Sequence, residues 1–121
     1  RVRRQEHTDP PLIKGEQRII KIFNKAGFLK KGNVTMDCFI ASKENGKYVW
    51  SCGGPKLYTK KSVPSHFYDD TRSLDFRGKT YYVPKKAEDY LTFRYGDWEK
   101  PIKTWDYTKD DGAIISSERE N

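Results

Sequence analysis

The chain has 121 residues, of which 35% are hydrophobic and 34% are charged, and its formal net charge is +7. This length allows at most one domain with a modest core, and the composition is not that of a disordered chain. No apolar run approaches the roughly 20 residues of a membrane span, so we expect no transmembrane segment. The excess positive charge indicates either a solvated basic surface or an anionic partner.

The first quarter of the chain is predicted to contain one helix. Residues 1–14 are expected to be irregular, since Pro10 and Pro11 exclude a helix there. Residues 16–26 are predicted to form a helix that ends at Gly27. Its apolar positions fall at helical spacing: Ile19, Ile20, Phe23 and Ala26.

The second quarter is predicted to form strands. Residues 34–41 alternate between two faces and are the clearest strand. Asn45-Gly46 is a two-residue hairpin signal, so residues 47–52 are expected to return antiparallel to that strand. Residues 56–61 are predicted to form a short edge strand, because a lysine-rich composition discourages edge pairing.

The second half of the chain is predicted to contain a hairpin and a helix. The expected elements are a loop over 62–71, a hairpin of strands 72–76 and 79–83, a helix over 86–95, an irregular segment over 97–113 and a frayed tail over 115–121. The hairpin turns at Arg77-Gly78 and the helix stops at Gly96. The predicted fold class is therefore α+β, with an antiparallel sheet of about four strands flanked by two helices.

Asp37 is the first candidate for chemistry, because it lies in the middle of a strand between apolar residues. A carboxylate there is costly unless it is paired, hydrogen-bonded or bound to a metal. It is therefore either exposed, paired with a Lys or Arg, or a ligand of a divalent cation. The two cysteines, Cys38 and Cys52, have no CxxC spacing and do not suggest a zinc site. Their state stays open between free thiols and a disulfide.

The last third of the chain carries the most specific motifs. A strand ending at Pro84 leads into Tyr90-Leu91-Thr92-Phe93-Arg94-Tyr95-Gly96, and Lys103-Thr104-Trp105-Asp106 follows. These strings, with the strand at 34–40 before Asn45-Gly46, resemble the C-terminal part of the LicD/fukutin family. That family moves phosphorylated small groups from nucleotide-linked donors onto glycans, on a nucleotidyltransferase-like sheet.

The resemblance implies a single, partial LicD-like domain over 1–121 with an incomplete nucleotidyltransferase fold. It implies metal-dependent transfer of phosphocholine or a sugar or alditol phosphate, from a CDP-type donor to a glycan, with Mg²⁺ or Mn²⁺ as cofactor. Asp37 would be the catalytic acid and a metal ligand. Asp9 lies roughly where the family's paired acids would end and is the second candidate metal ligand, or else part of an unrelated linker.

Four further residues are candidate substrate-binding residues: Lys56, Arg94, Trp105 and Asp106. Lys56 follows Gly53-Gly54-Pro55 at a strand end, where it could reach a donor phosphate, or it is an ordinary surface lysine. Arg94 could bind phosphate, or form an ion pair with Glu88, Asp89 or Asp97. Trp105 could stack on a nucleotide base, or anchor its segment by packing.

The family's glycine-rich opening segment and paired acids have no counterpart in this chain, so we expect the chain to be inactive by itself. An alternative to an enzyme is that the chain is a small basic binding module for nucleic acid or anionic glycan. Of these two ligands, nucleic acid is the less expected. The expected location is the cytoplasm. A eukaryotic relative would fit the Golgi lumen, with its anchor outside this chain.

Overall fold

The computed structural model describes residues 1–28, 31–54 and 57–119. In chain order the elements are β1 (Val2–Arg4), β2 (Gln17–Lys25), β3 (Lys31–Phe39), β4 (Ser42–Glu44), β5 (Lys47–Gly54), β6 (Leu57–Pro64), α1 (His66–Asp69), β7 (Thr71–Phe76), β8 (Lys79–Pro84), α2 (Ala87–Tyr95) and β9 (Ile114–Arg119). The α+β class is confirmed. The extent of the sheet is not, because the described strands form three antiparallel sheets of three, four and two strands.

The three-stranded sheet has the order β1-β2-β3 and corrects the N-terminal predictions. The expected helix over 16–26 is wrong, since these residues form strand β2, and β1 lies inside the segment expected to be irregular. Ile19, Ile20 and Ile22 are β-branched and fit a strand better than a helix. Antiparallel pairing with β1 on one side and β3 on the other overrides the helical spacing.

The register of this sheet sorts its side chains onto two faces. On one face Ile19 lies opposite Phe39 and Lys21 opposite Asp37. On the other face Ile22 lies opposite Met36, and both residues are exposed. The face that carries Lys21 and Asp37 lines a cleft.

The four-stranded sheet has the order β4-β5-β6-β9. The Asn45-Gly46 hairpin is confirmed, with positive φ at both residues, as a primed two-residue turn requires. Across this turn β5 nevertheless pairs with β4, not with the strand expected over 34–41, because β3 ends at Phe39.

Two other predictions for this sheet are wrong. The lysine-rich segment is no edge strand, since β6 lies between β5 and β9. The tail expected to fray from residue 115 instead supplies β9, which pairs with β6 as far as Arg119. Backbone pairing along β6 explains how the polar residues Ser116, Ser117, Glu118 and Arg119 join a strand.

Most of the elements predicted for the second half of the chain are confirmed. The hairpin β7–β8 turns at Arg77 and Gly78, both with positive φ, and α2 ends at Gly96. Residues 97–113 contain neither helix nor strand, as expected. The predicted loop at 62–71 is wrong in part, since β6 continues to Pro64, β7 begins at Thr71 and α1 forms a single helical turn between them.

The core lies between the four-stranded sheet and the two helices. It consists of Trp50, Val63, Phe67 and Ala113, with partly buried Ala41, Tyr48 and Tyr90 packed against it. Phe67 of α1 contacts the rings of Tyr90 and Phe93 of α2, so both helices are anchored at this core. Among the described residues, no helix has the length and apolar character needed to cross a bilayer.

Candidate functional site

A central cleft of about 970 Å³ is lined by residues of both larger sheets, both helices and the irregular segment after α2. Five of its lining side chains are cationic, Arg3, Arg18, Lys21, Lys61 and Arg94, and two are acidic, Glu6 and Asp37. Its aromatic lining is extensive: Phe39, Tyr48, Trp50, Tyr68, Tyr90, Tyr95, Trp105 and Tyr107. Such a lining suits an anionic ligand that carries a flat ring.

A buried ion network forms the base of the cleft. Asp111 accepts hydrogen bonds from Arg94 through Nε at 2.7 Å and through Nη2, and from Lys61 Nζ at 2.8 Å. The side chain of Asp111 is fully buried and that of Lys61 nearly so. Lys61 also donates to the carbonyl of Tyr107, which joins β6 to the irregular segment. The network therefore ties α2, β6 and residues 107–111 together.

Protonation in this network is fixed by its pairing. Burial raises the pKa of Asp111, but hydrogen bonds from Arg94, Lys61 and the Ala113 N–H outweigh burial and hold the pKa below its usual range. For Arg94, burial lowers the pKa, and the bonds to Asp111 and Tyr90 more than compensate. Both groups are therefore charged at neutral pH, and the single Asp111 carboxylate is shared between Arg94 and Lys61.

The predicted substrate-binding residue Arg94 lies in the cleft, but its donors are engaged. Besides Asp111, it donates from Nη1 to the Tyr90 hydroxyl at 2.8 Å, which in turn lies 2.8 Å from the Tyr68 hydroxyl. Its guanidinium also lies 5.2 Å from the ring centre of Tyr95. Its ion-pair partner is thus Asp111, and none of the acids suggested from the sequence. Burial and the Tyr90 contact raise the pKa of Tyr68, so the Tyr68 hydroxyl stays neutral.

Asp37 lines the open side of the cleft, where it forms a 2.8 Å ion pair with Lys21. About a third of its side chain is exposed, so the carboxylate can reach a ligand. No three His, Cys, Asp or Glu side chains among the described residues lie close enough together to hold a metal ion. Mg²⁺ is often held by one or two carboxylates together with phosphate oxygens, and Asp37 fits that limited role.

Asp9 is not brought together with Asp37. It accepts from Lys60 Nζ at 2.7 Å and from the Tyr58 hydroxyl at 3.2 Å, and it does not line the cleft. Burial and the nearby Asp9 carboxylate raise the pKa of Tyr58 to about 12. The contacts of Asp9 attach the N-terminal loop to β6.

The remaining predicted residues differ in position. Trp105 lines the cleft and packs against Tyr95, with ring centres 5.2 Å apart. Asp106 does not line the cleft. It accepts from the Thr108 hydroxyl at 2.6 Å and backbone N–H at 2.9 Å, which lower its pKa and shape the local turn. Lys56 lies outside the described residues.

The sequence reasoning missed two important residues: Arg18, which lines the cleft, and Asp111, the buried partner of Lys61 and Arg94. Arg18 is buried, lines the cleft and donates from Nη1 to the Gly53 carbonyl at 3.0 Å. Its Nε has no hydrogen-bond partner within the part of the chain that is described, and the same holds for Trp105 Nε1. A charged residue beside Ile19-Ile20 is a signal of the kind that identified Asp37. Asp111 gave no such signal, because it follows Asp110 in a polar segment.

Comparisons with protein-family models, with curated proteins and with solved structures find no match to this chain.

Proposed function

We propose that this chain is a LicD-like transferase domain whose central cleft binds a nucleotide-linked donor. The observation that carries the proposal is that residues predicted from distant parts of the sequence line one cleft: Asp37, Arg94 and Trp105. This cleft is rich in cations and aromatic rings. A CDP-linked donor has the matching chemistry, a diphosphate and a flat base.

Different cleft residues contact different parts of the donor in this proposal. Arg18 and Lys21 offer positive charge to the donor diphosphate, since neither has a fully buried carboxylate as its partner. Trp105 and Tyr95 offer aromatic surface to the base. Arg94, which is neutralised by Asp111, acts by holding α2 and its aromatic residues in position. In phosphoryl transfer such positioning and charge stabilisation supply most of the catalysis.

We propose Asp37 as the protein ligand of a Mg²⁺ or Mn²⁺ ion that is otherwise held by donor phosphate oxygens and water. When bound, such an ion neutralises phosphate charge. Asp37 also orients the Lys21 ammonium at the mouth of the cleft. The transferred group is phosphocholine or a sugar or alditol phosphate, the acceptor is a glycan, and the proposed location is the cytoplasm.

The test is calorimetric titration of CDP with and without Mn²⁺, on the wild type, on Asp37→Asn and on Asp97→Asn. Asp97 is the matched control, because it also pairs with a lysine, at 2.7 Å, and lies away from the cleft. We expect metal-dependent CDP binding in the wild type and the control. In Asp37→Asn we expect the metal dependence to fall at least about tenfold, as for loss of a charge-assisted contact.

The opposite outcome is equally informative. If Asp37 held no metal, Mn²⁺ would strengthen CDP binding by the same factor in Asp37→Asn as in the wild type. That outcome would leave a donor site and remove the metal role. Failure of the wild type to bind CDP under either condition would contradict the donor site itself.

A second candidate function is a binding module for nucleic acid or anionic glycan, which the same cationic and aromatic lining favours. Titration with a single-stranded oligonucleotide and with a sulfated polysaccharide separates the two functions. Binding that is tighter than that of CDP and falls steeply with salt would favour the module. Binding of CDP alone would favour the transferase.

A further inference from the structure

The hairpin β7–β8 stands apart from the two larger sheets. Within the described residues its strands pair only with each other. Every residue of β7 is exposed, as are the first four of β8. An isolated two-stranded ribbon is marginal in water, so large apolar side chains on it call for an explanation.

The register separates the hairpin into two unlike faces. Leu74 lies opposite Tyr81 and Phe76 opposite Lys79, and these share a face with the Arg72–Val83 pair. We call these six residues the apolar hairpin face. The other face carries Tyr82, which is 82% exposed, and Asp75, which accepts a 2.6 Å hydrogen bond from Thr80 opposite it. The hairpin's one carboxylate in residues 71–84 therefore lies on the face opposite to the apolar hairpin face.

The tip of the hairpin adds more positive charge. Arg77 occupies the turn, with its guanidinium 5.3 Å from the ring centre of Phe76, and Lys79 begins the return strand. Phe76 is 57% exposed. An exposed aromatic ring is thus flanked by two cations, next to an exposed leucine and tyrosine on the same face.

We propose that the apolar hairpin face docks the protein onto an anionic lipid surface. Leu74 and Phe76 would enter the boundary between head groups and acyl chains, and Tyr81 would lie at the head-group level. Arg77 and Lys79 would contact lipid phosphates while their stems cover apolar surface. A lipid surface suits the face better than a sugar polymer does, because leucine and phenylalanine offer no hydrogen bonds to hydroxyl groups. The inference is independent of the transfer reaction.

The test is co-sedimentation with vesicles of phosphatidylcholine and phosphatidylglycerol, compared with pure phosphatidylcholine vesicles. We expect binding to the anionic vesicles that weakens as salt rises. Phe76→Ser should lower the partition coefficient at least about tenfold, because it removes the aromatic ring that would be buried in the lipid. Arg77→Gln and Lys79→Gln should each lower it about fivefold.

Met36→Ser is the matched control. The exposed fraction of Met36, 55%, is similar to the 57% of Phe76. Met36, however, lies on the face of the three-stranded sheet opposite to Lys21 and Asp37. Its loss should leave vesicle binding unchanged. A loss equal to that of Phe76→Ser would overturn the proposal, as would wild-type binding by Phe76→Ser or no preference for anionic vesicles.

Direct insertion is tested with Phe76→Trp. Its added fluorescence should shift to shorter wavelength on anionic vesicles and be quenched by brominated lipid, and an unquenched signal would overturn the proposal. Binding to a sulfated polysaccharide that Phe76→Ser abolishes, without vesicle binding, would assign the hairpin to a glycan and also overturn it.

Discussion

The two Lys–Asp ion pairs whose lysines line the central cleft lie in opposite settings. Lys61 of β6 and Asp111, which precedes β9, lie 2.8 Å apart and their side chains are 4% and 0% exposed. In the three-stranded sheet, Lys21 and Asp37 lie at the same separation with side chains 27% and 33% exposed. The Asp111 carboxylate is fully buried, and its bond to Lys61 joins β6 to the segment before β9. The exposed pair contributes little to stability, and either side chain can bind a ligand in place of its partner.

The contrast teaches that burial, more than residue type or distance, separates structural from functional charge. A buried ion left without its partner is strongly destabilising, whereas an exposed pair contributes little because water replaces the partner. The cleft thus has one side that is fixed by the core and one side whose charges remain available.

The largest expected effect comes from Asp111→Ala. It leaves Lys61 and Arg94 without their carboxylate, and we expect the free energy of unfolding to fall by about 3–5 kcal/mol. Asp37→Ala, the matched change in the exposed pair, should cost under about 1 kcal/mol. Urea denaturation followed by Trp fluorescence measures both. Equal losses in the two variants would show that burial does not distinguish the pairs.

A smaller effect is expected from apolar truncation on the two sides. Phe67 is 6% exposed in the core, and Phe39 is 44% exposed in the cleft. Phe67→Ala should cost about 3 kcal/mol, the lower end for a buried phenylalanine, because the four-residue helix α1 can partly settle into the space. Phe39→Ala should cost under about 1 kcal/mol. Thermal unfolding of both variants checks the difference, and a larger loss for Phe39→Ala would reverse the comparison.

The smallest effect is a pH dependence. The folded protein holds the pKa of Asp111 below its usual range, so this carboxylate contributes stability above its unfolded pKa of about 3.9. That contribution is lost as the pH falls through the folded pKa, because the unfolded chain then binds more protons. The wild type should therefore lose stability more steeply below about pH 4 than Asp111→Asn does. Parallel acid titrations of unfolding would expose an error if the slopes were the same.

Local signals predicted part of the fold well. Both hairpins turn where the sequence predicts, at Asn45-Gly46 and Arg77-Gly78, and these residues adopt the positive φ that a tight two-residue turn requires. Helix α2 was likewise predicted from its flanking Pro84 and Gly96. The spacing of Ile19, Ile20 and Phe23 suits a helix as well as a strand, and only pairing with distant β3 decided the matter.

The candidate site was predicted as separate residues. Asp37 was identified by its position in a strand, and Arg94 and Trp105 by their motifs. Their meeting in one cleft depends on how the sheets and α2 pack, which the sequence pattern does not encode. The partner of Arg94 was missed for the same reason, since Asp111 lies across a 17-residue separation in a segment without periodicity.

The sequence alone determined the α+β class, the two tight turns and the helix at 87–95, because each depends on backbone preferences of a few adjacent residues. Tertiary structure decided that residues 17–25 form a strand and that the tail pairs with β6. It also decided which of two Lys–Asp pairs is buried. These outcomes depend on long-range pairing and desolvation, which no local window of sequence contains.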